Sequence, residues 1–181
     1  MEIISIFAPY LYSIQYDSQE EDEYTRLLYT EWNDVEKILA FMQENKNVLE
    51  ENSTWNSIND PYLAINQVIQ EADELRQKFQ ELKENTQICK QPDFDNHFKY
   101  LNGKYKYLYE LIPMKSYGCG RPSLLRIYAI KLGTNKYLIT GGGIKLCDTI
   151  QDSPGIKDHA LQNIDRVRSF LIENDIDEED L

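Results

Sequence analysis

The sequence has few of the residues that several classes of protein depend on. Its three cysteines, Cys89, Cys119 and Cys147, form no CxxC pair. An odd set of isolated cysteines argues against a disulfide framework and against a zinc site. The two histidines, His97 and His159, belong to different predicted elements, which argues against a histidine metal centre and against a Ser-His-Asp triad. We therefore expect no metal and no cofactor.

Long apolar runs are also missing. Nowhere do about 18 apolar residues follow one another, so we expect no transmembrane helix and no membrane partner. The segment from Met1 to Pro9 is acidic at position 2 and has no basic cluster, which is unlike a secretory signal. These absences predict a soluble, cytoplasmic protein.

Charge is distributed unevenly along the chain, whose formal net charge is −12. Residues 1–88 have 18 acidic against 6 basic side chains, residues 89–168 have 7 against 13, and residues 169–181 have 6 against none. The chain thus has an acidic first half, a basic second half and an acidic tail. This distribution indicates that the two halves bind different partners, or bind each other. The alternative is that acidic helices simply present a solvated face.

Residues 1–93 combine a β segment with helices. Alternating apolar residues between Ile4 and Tyr16 predict β structure. Asn33, with Glu36 three residues later, is typical of a helix N-cap with a capping box, and Asp60 before Pro61 predicts a second helix start. Apolar residues at helical spacing then form a stripe: Ile65, Val68, Ile69, Ala72, Leu75, Phe79 and Leu82. The other face is polar: Gln67, Glu71, Glu74, Gln77, Lys78 and Glu81. The stripe predicts a helix packed on the core, with a partner-binding coiled coil as the alternative.

From Phe94 onward the pattern changes to β structure. Lys104–Leu111 alternates with period two, and Leu124–Leu132 with Tyr137–Thr140 predicts an antiparallel hairpin. The run Gly141–Gly143 lacks the spacing of a phosphate loop and favours a bulge or a close backbone approach. Apolar residues at helical spacing predict a last helix: Ala160, Ile164, Val167 and Leu171.

The predicted fold class is α+β: an N-terminal β segment and helices, then a small antiparallel sheet and a closing C-terminal helix. We divide the chain into an acidic, mostly helical region (1–93) packed on the same core, an α+β region (94–175), and an acidic tail (176–181).

Basic residues are concentrated between positions 97 and 146, where Glu110 is the only acidic residue. They are Lys99, Lys104, Lys106, Lys115, Arg121, Arg126, Lys131, Lys136 and Lys145. Tyrosines are interleaved with them. Single-stranded RNA needs cations for its phosphates and aromatic faces for its bases, so this stretch favours RNA binding. The alternative is that each tyrosine packs in the core with its hydroxyl at the rim.

The segments Leu125–Ile130 and Lys136–Lys145, followed by a closing helix, resemble the toxins of RelE/HigB/ParE-type toxin–antitoxin modules. The resemblance is strongest to a set from Bacteroidetes with an LRIYAI…ITGGGIKL core, and it covers residues 94–175. It implies a small twisted antiparallel sheet flanked by helices. It also implies a metal-independent mRNA endonuclease, in which the ribose 2′-hydroxyl attacks the adjacent phosphate.

The same resemblance implies roles for particular residues. Arg126 would clamp the phosphate, Lys145 would be the second cation, and Tyr128 would orient or stack. His159 would be an acid or base if the last helix folds over the sheet. Arg121 would contact the RNA backbone. The basic stretch itself supplies three further candidates for substrate binding: Lys131, Lys104 and Lys106. The implied partners are a cognate antitoxin with a helix-turn-helix domain, and RNA or the ribosome.

Two alternatives stay open. In the ParE branch the same fold poisons a protein target, gyrase, instead of cutting RNA. A non-catalytic interaction module, whose acidic helices cover the basic sheet or bind a basic partner, is the other.

Overall fold

The computed structural model describes residues 1–55, 57–58, 60–89, 94–101, 111–117, 122–156, 159–177 and 179–181. Within these ranges a six-stranded sheet has helices on both faces, which confirms the predicted α+β class. The strands are β1 Glu2–Phe7, β2 Leu11–Gln15, β3 Lys99–Tyr100, β4 Ile112–Tyr117, β5 Leu125–Gly133 and β6 Lys136–Ile144. The helices are α1 Glu23–Thr25, α2 Val35–Glu44, α3 Lys46–Glu51, α4 Pro61–Cys89, α5 Phe94–His97 and α6 Ala160–Glu173. A π-helical turn spans Arg26–Thr30, and 3₁₀ turns span Glu31–Asn33 and Ser53–Trp55.

The strand order is β1-β2-β6-β5-β4-β3, and every neighbouring pair is antiparallel except β2 with β6. Leu11–Ser13 pairs in parallel with Tyr137–Ile139. The sheet is therefore larger than the small antiparallel sheet that was expected, because β1 and β2 extend it on one side.

The predicted hairpin of β5 and β6 is confirmed. Its turn places Asn135 at a φ of 56°, a left-handed conformation that asparagine tolerates better than most residues. A register shift opposite Tyr128 and Ala129 makes a bulge before Gly141. The predicted strand at 104–111 lies outside the described residues except for Leu111.

The two faces of the sheet are buried by different helices. The first face packs against α1, α2 and α4, and the stripe on α4 is buried there as predicted. The second face packs against α6, where Ile164 and Val167 meet Tyr128 and Ile130 of β5.

Of the two helix starts predicted from the sequence, the start of α4 is confirmed and the start of α2 is wrong by one residue. α4 begins at Pro61, and the Asp60 carboxylate accepts a hydrogen bond from the Tyr62 N–H at 2.8 Å. Asn33 is not the cap of α2, so that prediction is wrong by one position. Asp34 fills that position, with its carboxylate accepting from the Lys37 N–H at 3.1 Å. Across the described part of the chain, every helix is too short or too polar to cross a bilayer.

Candidate functional site

A cleft of about 180 Å³ lies at the end of the sheet where β5 begins and β6 ends. Because the two strands are antiparallel, the start of one and the end of the other are neighbours. Arg126 at the start of β5 and Lys145 just after β6 both line this cleft. The other lining residues are Asn52, Thr54, Trp55, Pro122, Ser123, Cys147 and Asp148.

Arg126 is held in one orientation. Its Nη1 donates hydrogen bonds to the backbone oxygens of Ser123 at 2.8 Å and of Leu125 at 2.6 Å, and approaches the Ser123 hydroxyl at 3.3 Å. The side chain is only 9 % exposed. A guanidinium stays protonated at every physiological pH, so this arrangement fixes a positive charge in the wall of the cleft.

Lys145 adds a second positive charge. Its Nζ donates to the backbone oxygen of Asp148 at 2.6 Å. Burial lowers the pKa of Lys145, and the charges of Arg126 and Lys115 lower it further, while the Asp148 carboxylate opposes them. The charged form of Lys145 is thus held at a cost in free energy, and a bound anion would reduce that cost.

The loop that carries Arg126 is anchored by a buried carboxylate. Glu71, on α4, is 1 % exposed. It accepts hydrogen bonds from the Ser123 hydroxyl at 2.8 Å and from the backbone N–H groups of Leu124 and Leu125, both at 3.0 Å. Gln67 Nε2 donates a further bond at 2.9 Å. α4 therefore fixes the segment just before Arg126.

Sequence reasoning placed Glu71 on the polar face of α4 and so missed this anchor. The signal was present in the spacing. Glu71 follows Val68 by three residues and precedes Leu75 by four, so it lies on the same buried side of the helix as they do.

The opposite wall of the cleft comes from the acidic half of the chain. Asn52 Nδ2 and Trp55 Nε1 both donate to the backbone oxygen of Leu146, each at 2.8 Å. The turn Ser53–Trp55 is thereby joined to the segment that follows β6. Both halves of the sequence contribute residues to the cleft.

Two of the predicted site residues lie elsewhere. Tyr128 is 0 % exposed and packs in the second cluster beneath α6, so a nucleotide base cannot stack on its ring. Lys131, near the far end of β5, donates to the Asp95 carboxylate at 2.8 Å and lies 5.8 Å from the centre of the Tyr137 ring. Neither residue lines the cleft: Tyr128 is buried beneath α6, and Lys131 lies near the other end of β5.

His159 is not brought to the cleft either. His159 is exposed and lies directly before α6, outside the cleft lining. Lys104, Lys106 and Arg121 lie outside the described residues.

The tyrosines of β5 and β6 match the alternative of packing in the core. Tyr137 is 0 % exposed. Its ring stacks on Phe98 with centroids 4.4 Å apart, and its hydroxyl donates to Asp95 at 2.6 Å. A buried tyrosine hydroxyl usually finds a hydrogen-bond partner, so Tyr137 has the ordinary arrangement of a core tyrosine.

Among the described residues, no three His, Cys, Asp or Glu side chains come close enough together to hold a metal ion. No protein-family model matches the chain, and neither the curated proteins nor the solved structures include a match.

Proposed function

We propose that this protein binds single-stranded RNA and cleaves it without a metal ion, as the toxin component of a toxin–antitoxin module acting in the cytoplasm. The observation that supports the proposal is the position of Arg126, at the start of β5, and Lys145, just after β6, which line one cleft. The proposed partner is a cognate antitoxin with a helix-turn-helix domain.

The cleft suits a phosphodiester in both charge and hydrogen bonding. Arg126 is held in place by its hydrogen bonds to backbone oxygens. The charged form of Lys145, whose pKa is lowered by burial and by Arg126, would be stabilised by the negative charge of a bound phosphate. Ser123, Asn52 and Thr54 add polar groups to the lining. Preorganised cations of this kind stabilise charge that develops during phosphate chemistry, because they need little rearrangement when the charge appears.

The proposed reaction is an internal transfer at phosphorus. The ribose 2′-oxygen forms a bond to the adjacent phosphorus and loses its proton, while the bond from phosphorus to the 5′-oxygen breaks. The 5′-oxygen takes up a proton, so the products are a 2′,3′-cyclic phosphate and a 5′-hydroxyl. Arg126 and Lys145 would stabilise the negative charge on the non-bridging oxygens in the transition state.

The net charge of −12 opposes binding of a polyanion only at long range. At physiological ionic strength the screening length is about 8 Å, so the cations that touch the phosphate dominate. The proposal therefore predicts that the affinity for RNA depends strongly on Arg126 and Lys145. It also predicts that this affinity falls as the salt concentration rises.

The test compares Lys145→Ala with Lys46→Ala in RNA binding and cleavage, both in EDTA. Lys46 is exposed on α3, outside the cleft, and pairs with Glu50 at 3.4 Å. Lys145→Ala removes one phosphate contact and is expected to weaken RNA binding about tenfold. It should also reduce the slope of log binding constant against log salt concentration by about 0.7. Lys46→Ala should change neither. Equal effects of the two variants on affinity and cleavage would contradict the proposal.

Arg126 is tested with Arg126→Lys, because deleting a buried guanidinium can unfold the chain. Lysine keeps the charge but loses the planar fork, so cleavage should fall by at least tenfold while the thermal midpoint stays close to that of the original chain. An Arg126→Lys variant that is folded and cleaves RNA at the original rate would contradict the role of Arg126.

Induced expression in cells separates the proposal from the two alternatives. The proposed nuclease should halt translation with cleaved mRNA, and Lys145→Ala should relieve the arrest. DNA damage with intact mRNA would indicate a gyrase poison instead. Normal growth, together with tight binding to another protein, would indicate a non-catalytic interaction module.

A further inference from the structure

The first strand lies at an open edge of the sheet. β1 pairs with β2 on one side and, in the part of the chain that the structure describes, has no strand on the other. Alternate N–H and C=O groups of an edge strand point away from the sheet, where a further strand can bind them. Only another extended chain continues the hydrogen-bonding pattern in a regular way, so this edge is a site for strand pairing.

β1 lacks the features that commonly keep an edge strand from pairing. Edge strands are protected by lysine, by proline or by being very short. The strand at the other edge of the described sheet, β3, has only two residues, and one of them is Lys99. β1 has six residues without lysine or proline, and four of them are apolar and half-buried: Ile3, Ile4, Ile6 and Phe7. A strand added beside β1 would cover these side chains further.

Two opposite charges lie at the two ends of β1. Glu2 is the only charged residue of the strand and is exposed. At the other end, Nζ of Lys83, on α4, lies 5.0 Å from the centre of the Phe7 ring. Neither Glu2 nor Lys83 forms an ion pair with a described residue. Five residues of extended strand span about 16 Å, so these two charges cannot meet within one chain.

Glu2 and Phe7 point to the same face of the sheet. Ile3 packs on the second face, so alternation along the strand turns its neighbour Glu2 to the first face. Ile6 and Phe7 both pack on the first face, because a bulge near the end of β1 interrupts the alternation. The ammonium group of Lys83, over the Phe7 ring, is therefore on the face to which Glu2 points.

We propose that β1 pairs antiparallel with β1 of a second copy of this chain, so that the partner's Glu2 lies beside Lys83. Residues directly opposite each other in an antiparallel pair share a face of the sheet. The register that meets this condition and joins most of the strand places Ile4 opposite the partner's Ile4, and Ile6 opposite the partner's Glu2. By two-fold symmetry the ion pair between Glu2 and Lys83 then forms twice. Parallel pairing in register would bring the two Glu2 carboxylates together instead.

The inference goes beyond the proposed function and does not rest on it. None of the residues that line the cationic cleft belongs to β1, and β2 separates β1 from β6. Pairing at β1 therefore does not involve the cleft of either copy. A contact between two single strands is a small interface, so we expect the dimer to dissociate on dilution.

Sedimentation equilibrium of the full chain, from about 10 μM to about 1 mM, measures the association. The mean mass should rise from one chain towards two. Glu2→Lys should weaken the dimer about tenfold or more, because both ion pairs become repulsive. Lys83→Glu should weaken it similarly, and the double variant Glu2→Lys with Lys83→Glu should restore it. Glu44→Lys, an equal change of charge at an exposed position on α2, is the control and should have no effect.

Amide hydrogen exchange locates the contact. The outward N–H groups of residues 3–6 should exchange slowly in the dimer and rapidly after dilution or in Glu2→Lys. A chain that stays monomeric over the whole range would overturn the proposal and leave the edge to a strand of another protein. A dimer with unprotected β1 amides would overturn it too, since another surface would then form the contact. If the double variant associates as weakly as the single ones, Glu2 and Lys83 do not meet and the proposed pairing is wrong.

Discussion

The carboxylate of Glu71, in the first half of α4, accepts a 2.8 Å hydrogen bond from the hydroxyl of Ser123, just before β5. The same hydroxyl lies 3.3 Å from Nη1 of Arg126. A helix of the acidic half therefore positions the cation of the basic half. At this point the acidic half and the basic half of the sequence are in direct contact.

We expect Glu71→Gln to destabilise the protein by about 2–4 kcal/mol, because an amide nitrogen would replace an oxygen that accepts from buried donors. Urea denaturation measures the change. Glu84→Gln is the matched control: Glu84 also accepts from a glutamine four residues earlier on α4, at 2.9 Å, but it is exposed. It should change stability by less than about 0.5 kcal/mol. Similar losses in the two variants would show that Glu71 does not anchor the loop.

We expect stability to fall as the pH drops from about 6.5 towards 4, because of His97. Burial, together with the charges of Lys78 and Lys99, lowers the pKa of His97 to about 4. Its Nε2 lies 2.7 Å from Oγ of Ser116. Between these pH values the unfolded chain binds a proton at this position and the folded chain does not, so acid favours unfolding by up to about 3 kcal/mol.

Denaturation at a series of pH values tests this expectation. His97→Gln should flatten the slope between pH 6.5 and 4, whatever its effect on stability at neutral pH. His159→Gln, at an exposed position, should keep the slope. If His97→Gln has the same slope as the original chain, another group is responsible.

We expect Gly142→Ala to destabilise the sheet by more than about 2 kcal/mol. A Cβ at this position would lie 2.5 Å from the backbone oxygen of Arg126 and 2.8 Å from Cδ1 of Leu27. The first contact is with the neighbouring strand, which cannot move without breaking its pairing with β6. A thermal midpoint within a degree of the original would show that the strands have room to separate there.

We expect Asp95→Asn to cost about 1–3 kcal/mol, because Asp95 joins several elements. Its carboxylate accepts from Lys131 Nζ at 2.8 Å, from the Tyr137 hydroxyl at 2.6 Å and from the Asn135 N–H at 3.1 Å. Burial opposes ionisation of Asp95, but these donors hold its pKa below the ordinary value. Asp165→Asn, exposed on α6, is the control for loss of one negative charge. Equal stabilities of the two variants would contradict this account.

The sequence was sufficient to predict those elements whose signal is local. The stripe from Ile65 to Leu82 and the cap at Asp60 predicted α4, and alternation around Gly133–Lys136 predicted the β5–β6 hairpin. Antiparallel pairing then brings Arg126 and Lys145 to one end of the sheet.

Features that depend on distant parts of the chain were missed. The parallel pairing of β2 with β6 and the pairing of Lys131 with Asp95 have no local signature. Core packing of Tyr128 was one of the two alternatives that the sequence left open. The start of α2 was misplaced for a local reason. Asn33 Nδ2 donates to the Leu28 oxygen of the preceding π-helical turn at 2.8 Å, so the Asn33 side chain is engaged there, and Asp34 caps α2.

The parallel contact between β2 and β6 joins segments more than 120 residues apart. Such a pairing forms late, since the intervening loop must close first. A nascent chain still on the ribosome therefore holds its N-terminal hairpin without a neighbouring strand until β6 has emerged. The cationic cleft is completed by residues synthesised after β6. A chain terminated before this segment therefore lacks Lys145 and, with it, one of the two cations of the cleft.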